Sequence, residues 1–385
     1  MNLAFALFKY FPFGGLQRDM MRMAEKAVAR GHQVTVFVSE WKDAPLPAET
    51  SGLSVRFLKT RALTNHGAMK DFERRFQEEV RLLPGRFDLT VAFNRIAGCD
   101  FYFAADNCLA AELPKKHSRL SLRFHPRYRV FLQMESAIFS PRSETRILYI
   151  APRQKTDYSA CYGTQEQRFF LLPPGMNPAC RRPETVAAAE SLRVSKRAEL
   201  GLSQNDLALL LLASNFDLKG GDRVIRALAS LPPGWKDRCV LCLAGPGSVK
   251  RCMALASALG VSEKIRVLGG RNDVPELLLA SDLMVHPARE ESAGSVLVEG
   301  IASGLPVLCS GECGFSPYVR ESGGTVLSEP FSQQELNEQL KSMLPGLEEI
   351  SHSVRSYAGS ADFCRREEVA LEYLESAFLS VSSRK

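Results

Sequence analysis

The residues from His286 to Glu299, reading HPAREESAGSVLVE, concentrate the chemistry that this sequence offers. Glu291 and Glu299 stand eight positions apart and flank the small residues Ser292, Ala293, Gly294 and Ser295. The pattern predicts a buried strand over 281–286 and a helix over 294–303, with the turn between them. In such a turn small side chains let backbone N–H groups approach a ligand, and the helix N-terminus favours an anion such as a phosphate. Glu291 stands just ahead of the helix and Glu299 about a turn and a half inside it. One acid can then reach a sugar hydroxyl on one side of a bound phosphate, and the other a ribose on the far side. The competing reading is a loop with surface acids leading into an amphipathic helix, so the rest of the chain has to decide.

Lys219, Gly220 and Gly221 follow a predicted strand and open a helix, a placement that suits a diphosphate by adding a point charge to the helix-end field. A solvated surface lysine is the alternative. Residues 269–274, reading GGRNDV, form a turn whose backbone can meet a planar base edge, while Asp273 is expected to cap the helix that starts at Val274. Gly14 and Gly15 sit at a helix entrance after the first strand, but the spacing is not GxGxxG and a tight turn accounts for them equally well. Asp106 ends an aromatic run and is expected at the rim of a sheet. Residues 109–138 mix Lys115, Lys116, Arg119, Arg123, Arg127 and Arg129 with aliphatic and aromatic residues, against only Glu112 and Glu135. That mixture suits an anionic membrane surface, at about 1 kcal/mol per basic residue near it. A solvated helical arm or a nucleic-acid patch would share the composition, and no nucleic-acid fold motif supports the latter.

The elements that must position these residues are legible in outline. The apolar run 3–8 reads as a strand buried on both faces of a parallel sheet, followed by a helix over 16–30 and a strand over 34–38. Strands are predicted at 55–58, 87–93, 146–150 and 169–172, with a helix over 69–83. Residues 173–178, PPGMNP, are the strongest boundary signal. Beyond them the pattern restarts with strands at 207–212, 240–244, 265–268, 283–286, 307–310 and 325–327, separated by helices at 220–231, 249–259 and 274–280. Two successive βα series imply an α/β fold of two doubly wound Rossmann-like domains facing a central cleft, with ligands outside the carboxyl ends of the strands.

A length of 385 residues accommodates two cores, and 45% hydrophobic with 24% charged residues describes a soluble globular chain. The net charge of +6 permits contact with an anionic surface where it is clustered. The ten cysteines lack regular spacing. Cys239 and Cys242 form one CxxC inside a strand with no second pair to complete a zinc site, so reduced cytosolic thiols and no metal are expected. The six histidines show no metal spacing, and no DxD, GxSxG or Walker A motif occurs, which argues against a serine hydrolase and a P-loop NTPase. No stretch reaches the roughly 20 apolar residues that cross a bilayer. The N-terminus lacks a basic signal-peptide region, so a cytoplasmic location is expected.

Taken together these segments resemble the retaining glycosyltransferases of family 4 with the GT-B fold, and within them the lipopolysaccharide core glucosyltransferase I (WaaG-type) family. The resemblance rests on Glu291-x7-Glu299, Lys219 with Gly220, and GRNDV at 270–274. It rests also on KYFPFGGLQRD at 9–19, FYFAAD at 101–106, LPPG at 172–175 and PFSQ at 330–333. It runs from Met1 to about Lys341. It implies an acceptor-binding domain over 1–172, a nucleotide-sugar domain over 173–362 and a C-terminal helix over 363–385 that packs back on the first. The implied reaction moves glucose from UDP-glucose to a heptose of the lipopolysaccharide inner core, in an α-1,3 linkage and with retention, without metal or cofactor. Glu291 would hold donor sugar hydroxyls, Glu299 the ribose, Ser292, Ala293, Gly294, Ser295 and Val296 the sugar and diphosphate, and Lys219 the leaving UDP. Gly14 and Gly15 would let a loop close on the phosphates. Gly270, Arg271, Asn272 and Val274 would hold uracil, and Asp19 and Asp106 would face the acceptor. The basic segment would place the protein peripherally on the inner face of the bacterial inner membrane. The sequence departs from many relatives at Leu218, where arginine is common. Readings that stay open are another UDP-hexose or lipid-linked acceptor, and a non-catalytic sugar- or nucleotide-binding module with a membrane arm.

Overall fold

The computed structural model describes residues 1–12, 14–48, 52–83 and 85–382, apart from the side chains of Arg119, Val381 and Ser382. The chain forms two compact units, Met1–Pro173 with Arg365–Lys385, and Pro174–Cys364.

Unit 1 contains, in order, β1 (Asn2–Ala6), β2 (Lys9–Tyr10), α1 (Gly15–Ala29), β3 (Gln33–Val38), β4 (Glu40–Trp41), β5 (Leu53–Phe57), α2 (Asn65–Leu82), β6 (Leu89–Ala92) and β7 (Phe101–Ala104). Then follow α3 (Leu109–Lys116), α4 (Arg119–Phe124), α5 (Pro126–Phe139), β8 (Arg146–Tyr149), α6 (Pro152–Tyr162) and β9 (Phe169–Leu171). A parallel sheet runs in the order β5-β3-β1-β6-β7-β8-β9. The strand order therefore reverses between β1 and β6. Leu3, Ala4, Phe5 and Ala6 are fully buried, as a strand covered by helices on both faces requires. On α1 the apolar face Met20, Met23, Ala24 and Ala27 is buried, while Leu16 is half-buried. The two-residue strands β2 and β4 pair separately, and the rings of Tyr10 and Trp41 stack across them at 3.8 Å.

Unit 2 contains α7 (Val186–Glu199), β10 (Leu207–Leu212), α8 (Gly221–Ser230), α9 (Pro233–Arg238), β11 (Cys239–Ala244), α10 (Lys250–Ala258), β12 (Ile265–Gly269), α11 (Val274–Ala280) and β13 (Leu283–His286). It continues with α12 (Ser295–Ala302), β14 (Val307–Ser310), α13 (Ser316–Glu321), β15 (Thr325–Leu327), α14 (Gln333–Met343) and α15 (Leu347–Ser360). Its parallel sheet has the order β12-β11-β10-β13-β14-β15, with Leu209 opposite Leu283 where the order reverses. Leu209, Leu211, Leu241, Leu243 and Val285 form the middle of its core. Cys239 and Cys242 are buried on β11 as free thiols, and burial pushes them up to about 12 and about 11 respectively.

The last helix, α16 (Arg366–Ser382), packs on α1 within unit 1. Arg366 is buried there and donates from Nη1 to Asp19 Oδ2 at 3.0 Å and from Nε to the Pro173 carbonyl at 3.1 Å. Both units are doubly wound parallel α/β folds, as the pattern of alternating strands and helices implied.

Candidate active site

In an open α/β sheet the carboxyl ends of the two strands at which the order reverses leave a crevice between their loops. In unit 2 those strands are β10 and β13, and their following loops carry Lys219 and Glu291. The Lys219 ammonium lies 2.8 Å from Glu291 Oε2 and donates to the Glu290 carbonyl at 2.8 Å. His286, the last residue of β13, is almost fully buried, and its Nε2 lies 3.2 Å from the same Glu291 oxygen. Burial opposes ionisation of Glu291. The His286 hydrogen bond and the Lys219 charge outweigh it and hold the carboxyl below its usual range. Glu291 is thus an ionised hydrogen-bond acceptor with one oxygen already engaged. Nδ1 of His286 is buried and has no partner among the described residues, so the ring's role toward Glu291 is carried by Nε2 alone.

Two glycines make this approach possible. Gly220 has φ +79°, and a Cβ there would lie 2.2 Å from the Pro287 carbonyl oxygen. Only a residue without Cβ lets the Lys219 turn press against the loop that bears Glu291. Gly294 has φ +93° and N-caps α12, and a Cβ would lie 3.1 Å from Glu291 Cγ. The Glu291 loop is fixed from its other side by backbone bonds. Gly314 N–H donates to the Glu291 carbonyl at 3.2 Å and Phe315 N–H to the Ala293 carbonyl at 2.7 Å. Arg223 donates to the Pro287 and Ala288 carbonyls, at 3.0 and 3.3 Å. The N–H groups of Ser295 and Val296, which open α12, have no acceptor four residues back within the helix, while the Leu297 N–H donates to the Gly294 carbonyl at 2.9 Å. Ser292, Ala293 and Gly294 complete the turn between Glu291 and the helix, with Ala293 and Gly294 buried.

Glu299 is buried on α12, and its Oε1 accepts from the Asn177 N–H at 3.3 Å. Gly270, Arg271, Asn272 and Val274 follow β12 at the sheet edge, apart from the Lys219–Glu291 pair. Arg271 donates from Nε to Asp273 at 2.7 Å and from Nη2 to Glu199 at 2.7 Å. Asp273 was expected to cap α11. It occupies the N-cap position, but its side chain makes no capping bond and is held instead by Arg271 and by Lys196 at 2.7 Å. Two cations out-compete a neutral N–H for one carboxylate. Leu218 is partly exposed, and its carbonyl accepts from the Arg289 N–H at 2.8 Å. The Arg289 guanidinium beside this turn is paired with Asp222 by two bonds of 2.8 Å.

In unit 1, Gly14 N-caps α1 and Gly15 is its exposed first residue, with nothing within 4 Å of a Cβ placed there. Phe13 of the same motif lies outside the described residues. Asp106 follows β7 and is exposed, at the sheet rim, with Arg95 Nη1 at 3.0 Å. Arg95 also donates to the fully buried Glu135 at 2.9 Å, and Glu135 accepts from the Leu109 and Ala110 N–H groups that begin α3. Asp19, by contrast, is mostly buried and its carboxylate is engaged by Arg366. Its other oxygen lies 3.4 Å from Arg22 Nη2, so its partners are on α1 and α16. The basic segment is helical. Arg123, Arg127 and Arg129 are exposed, Leu120 and Phe124 are each 69% exposed, and Lys115 pairs with Glu112 at 2.7 Å. The Arg119 side chain lies outside the described ones. Sequence reasoning did not find the Arg95–Glu135 and Asp19–Arg366 pairs, because neither has a local spacing to betray it.

The profile of the family described as glycosyl transferases group 1 matches residues 193–358, which lie within unit 2 and include Lys219, Glu291 and Glu299. The chain is 38% identical over 379 residues to the lipopolysaccharide glucosyltransferase WaaG of Escherichia coli (strain K12), covering 97% of this chain and 98% of that protein. A crystal structure of WaaG, described as a glycosyltransferase involved in lipopolysaccharide biosynthesis, superposes with a TM-score of 0.86 at 37% identity over 96% of this chain and 98% of that one. Anabaena Alr3699/HepE in complex with UDP and glucose superposes with a TM-score of 0.74 at 19% identity, covering 98% of this chain and 100% of that one, a likeness of fold.

Proposed function

From the premise that the chain belongs to the family of the lipopolysaccharide glucosyltransferase WaaG and is a glycosyltransferase of the GT-B fold, we propose that it moves glucose from UDP-glucose to a heptose of the lipopolysaccharide inner core, with retention at the anomeric carbon. The observation that carries this reading is the Lys219–Glu291–His286 cluster at the point where the unit 2 strand order reverses, beside the start of α12.

In this reading Glu291, kept ionised, accepts hydrogen bonds from donor sugar hydroxyls through its free oxygen. His286 and Lys219 fix its orientation through Oε2. Departure of UDP builds negative charge on the diphosphate. Lys219 and the N–H groups of Ser295 and Val296 meet that charge without rearrangement, as preorganised electrostatics do. The chemistry asked of these groups is met by the chain itself, so the proposal includes no metal and no cofactor. Glu299 takes the ribose, and Gly270, Asn272 and Val274 offer the base backbone groups. Arg271 shapes that turn through Asp273 and Glu199, since its guanidinium is committed to them. Gly15, with open space where a Cβ would stand, leaves the entrance of α1 uncovered, and Asp106 serves the acceptor from the rim of the unit 1 sheet.

The exposed Leu120 and Phe124 among Arg123, Arg127 and Arg129 support a membrane-contacting arm on an anionic surface, which would hold the protein at the cytoplasmic face where a lipid-borne acceptor is presented. Among the described residues no helix is long and apolar enough to cross a membrane. Nothing in the arm resembles a nucleic-acid module, and no nucleic-acid partner is proposed.

The test is a donor screen with purified protein and deacylated, heptosylated core as acceptor, reading UDP release and the linkage formed. UDP-glucose should be the preferred donor, and Glu291→Ala should abolish transfer. Unchanged turnover in that variant, or no UDP release with any acceptor, overturns the assignment.

A further inference from the structure

Unit 1 holds a cavity of about 510 Å³ that the site above does not use. Three of its walls come from residues just past the carboxyl ends of adjacent strands. They are Phe8 and Lys9 after β1, Glu40 after β3, and Lys59 and Thr60 after β5. The first turn of α2 closes it with Asn65. This is the side of an open α/β sheet where ligands bind, and it lies on the β1, β3 and β5 half of the sheet, away from the arm.

Its electrostatics have a sign. Glu40 is the one acid among the described residues that line the cavity, and two lysines share it, Lys9 at 3.1 Å and Lys42 at 2.7 Å. Among the described residues Lys59 has no carboxylate partner. The eighteen-residue helix α2 begins at the same wall, with the Thr64 hydroxyl accepting from the Gly67 N–H and no acidic residue in its first turn, so its positive end meets no carboxylate in that turn. Thr60 and Asn65 add neutral hydrogen-bonding groups, and the Phe8 ring forms an apolar surface beside them. An open polar cavity with one apolar wall and a net positive charge fits a saccharide that carries an anion.

We propose that this cavity is a charge-reading subsite for the acceptor. It takes a carboxylate or a phosphate borne on the acceptor saccharide, and Lys59 is the specificity-determining cation. The proposal rests on the reading of the chain as a core glycosyltransferase, and it adds which feature of the acceptor is recognised and by which residue.

Direct binding tests it apart from turnover. Deacylated core oligosaccharide is titrated by calorimetry into full-length protein, as wild type, Lys59→Gln and Lys59→Arg, in low salt. Lys59→Gln should weaken binding about tenfold, equivalent to about 1.4 kcal/mol, while Lys59→Arg holds near wild type and the affinity for UDP stays the same in all three. The gap should close as salt is raised. The same titration with phosphatase-treated and with carboxyl-reduced oligosaccharide identifies the anion, because wild type falls to the level of Lys59→Gln on whichever form lacks it. Equal binding by wild type and Lys59→Gln to the untreated oligosaccharide overturns the subsite, even if transfer is intact. So does no binding by wild type at all. Loss of binding in Lys59→Gln supports it even if the donor screen fails. A gap that persists undiminished on oligosaccharide stripped of both anions also overturns it.

Discussion

The contact between the Lys219 turn and the Glu291 loop can be broken by one methyl group. In Gly220→Ala the new Cβ would lie 2.2 Å from the Pro287 carbonyl oxygen and 3.0 Å from its carbon, at φ +79°. Two costs add. A left-handed backbone with a side chain costs about 1–2 kcal/mol. The clash is with backbone, not with a movable side chain, so the two turns must part by about 1 Å. A displacement of that size at a catalytic group lowers the rate on the order of 100-fold, or about 2.7 kcal/mol of transition-state stabilisation. Gly201→Ala separates the two effects, because Gly201 has φ +65° and nothing within 4 Å of its Cβ. That variant should lower the melting temperature of unit 2 by about 2–8 °C and leave UDP affinity and turnover alone. Gly220→Ala should lose at least as much stability and also lose UDP affinity and kcat/KM. Calorimetry with UDP, thermal melting and UDP-glucose kinetics read the three quantities. Equal effects of the two substitutions on UDP affinity and kcat/KM would refute the claim that the Gly220–Pro287 approach sets the Lys219–Glu291 geometry.

Four further outcomes follow, three from the ion pairs and one from the basic arm. Glu291 has a folded carboxyl pKa below its unfolded value, so the stability it contributes is present above the usual carboxylate range and is lost as the pH falls through the folded value. The deficit of Glu291→Gln against wild type in urea melts should therefore be largest at neutral pH and shrink in acid, and a deficit that grew on acidification would contradict the ion pair. Lys219→Met removes one of the two groups that hold Glu291 ionised, so carboxyl NMR should show the Glu291 titration moving up, and an unmoved titration would break the link. Asp19→Asn breaks a buried pair with Arg366 and should cost about 3 kcal/mol with early proteolysis at α16; lost transfer at unchanged melting temperature would instead return Asp19 to the acceptor. Neutral residues at Lys115, Lys116, Arg119 and Arg123 should release the protein from anionic liposomes, at about 1 kcal/mol per charge, and retention in low salt would remove the arm from the membrane.

The strands of both sheets could be read from the sequence because each is a short apolar run bounded by turn residues, and burial on both faces leaves no alternation to misread. Neighbour relations could not be read this way. Nothing local says that β10 lies beside β13, yet that adjacency alone brings Lys219 to Glu291. Nor does the pattern show α7. Its apolar residues Val186, Leu192 and Val194 are exposed, and the face it turns inward carries the buried Ala189 and Arg197 with the half-buried Arg193 between them, spaced four apart. Those arginines donate to the carbonyls of Leu279, Ala280 and Ser281 at the end of α11 and pair with Asp282. A helix whose inner face is arginine, satisfying another helix's orphan carbonyls, has no hydrophobic periodicity to detect.

The same logic separates the acids of this chain by what they can do. Glu135 is fully buried and accepts from Arg95, Tyr162 and two helix N–H groups, so its oxygens are committed to holding α3 and α5 on the sheet. Asp273 and Asp282 are likewise taken by arginine and lysine partners. Glu291 differs in that both of its side-chain contacts, the Lys219 ammonium and the His286 ring, fall on Oε2. Its other oxygen has no hydrogen-bond partner among the described residues, and the small residues Ser292, Ala293 and Gly294 follow it in the chain. An acid that is ionised, fixed in place and left with one oxygen unclaimed is suited to accept hydrogen bonds from a ligand. It is poorly suited to act as a nucleophile, since the pairs that hold it ionised also draw its charge toward the protein. The carboxylate spacing that first drew attention to Glu291 and Glu299 could not make that distinction. The hydrogen-bond partners of each oxygen do.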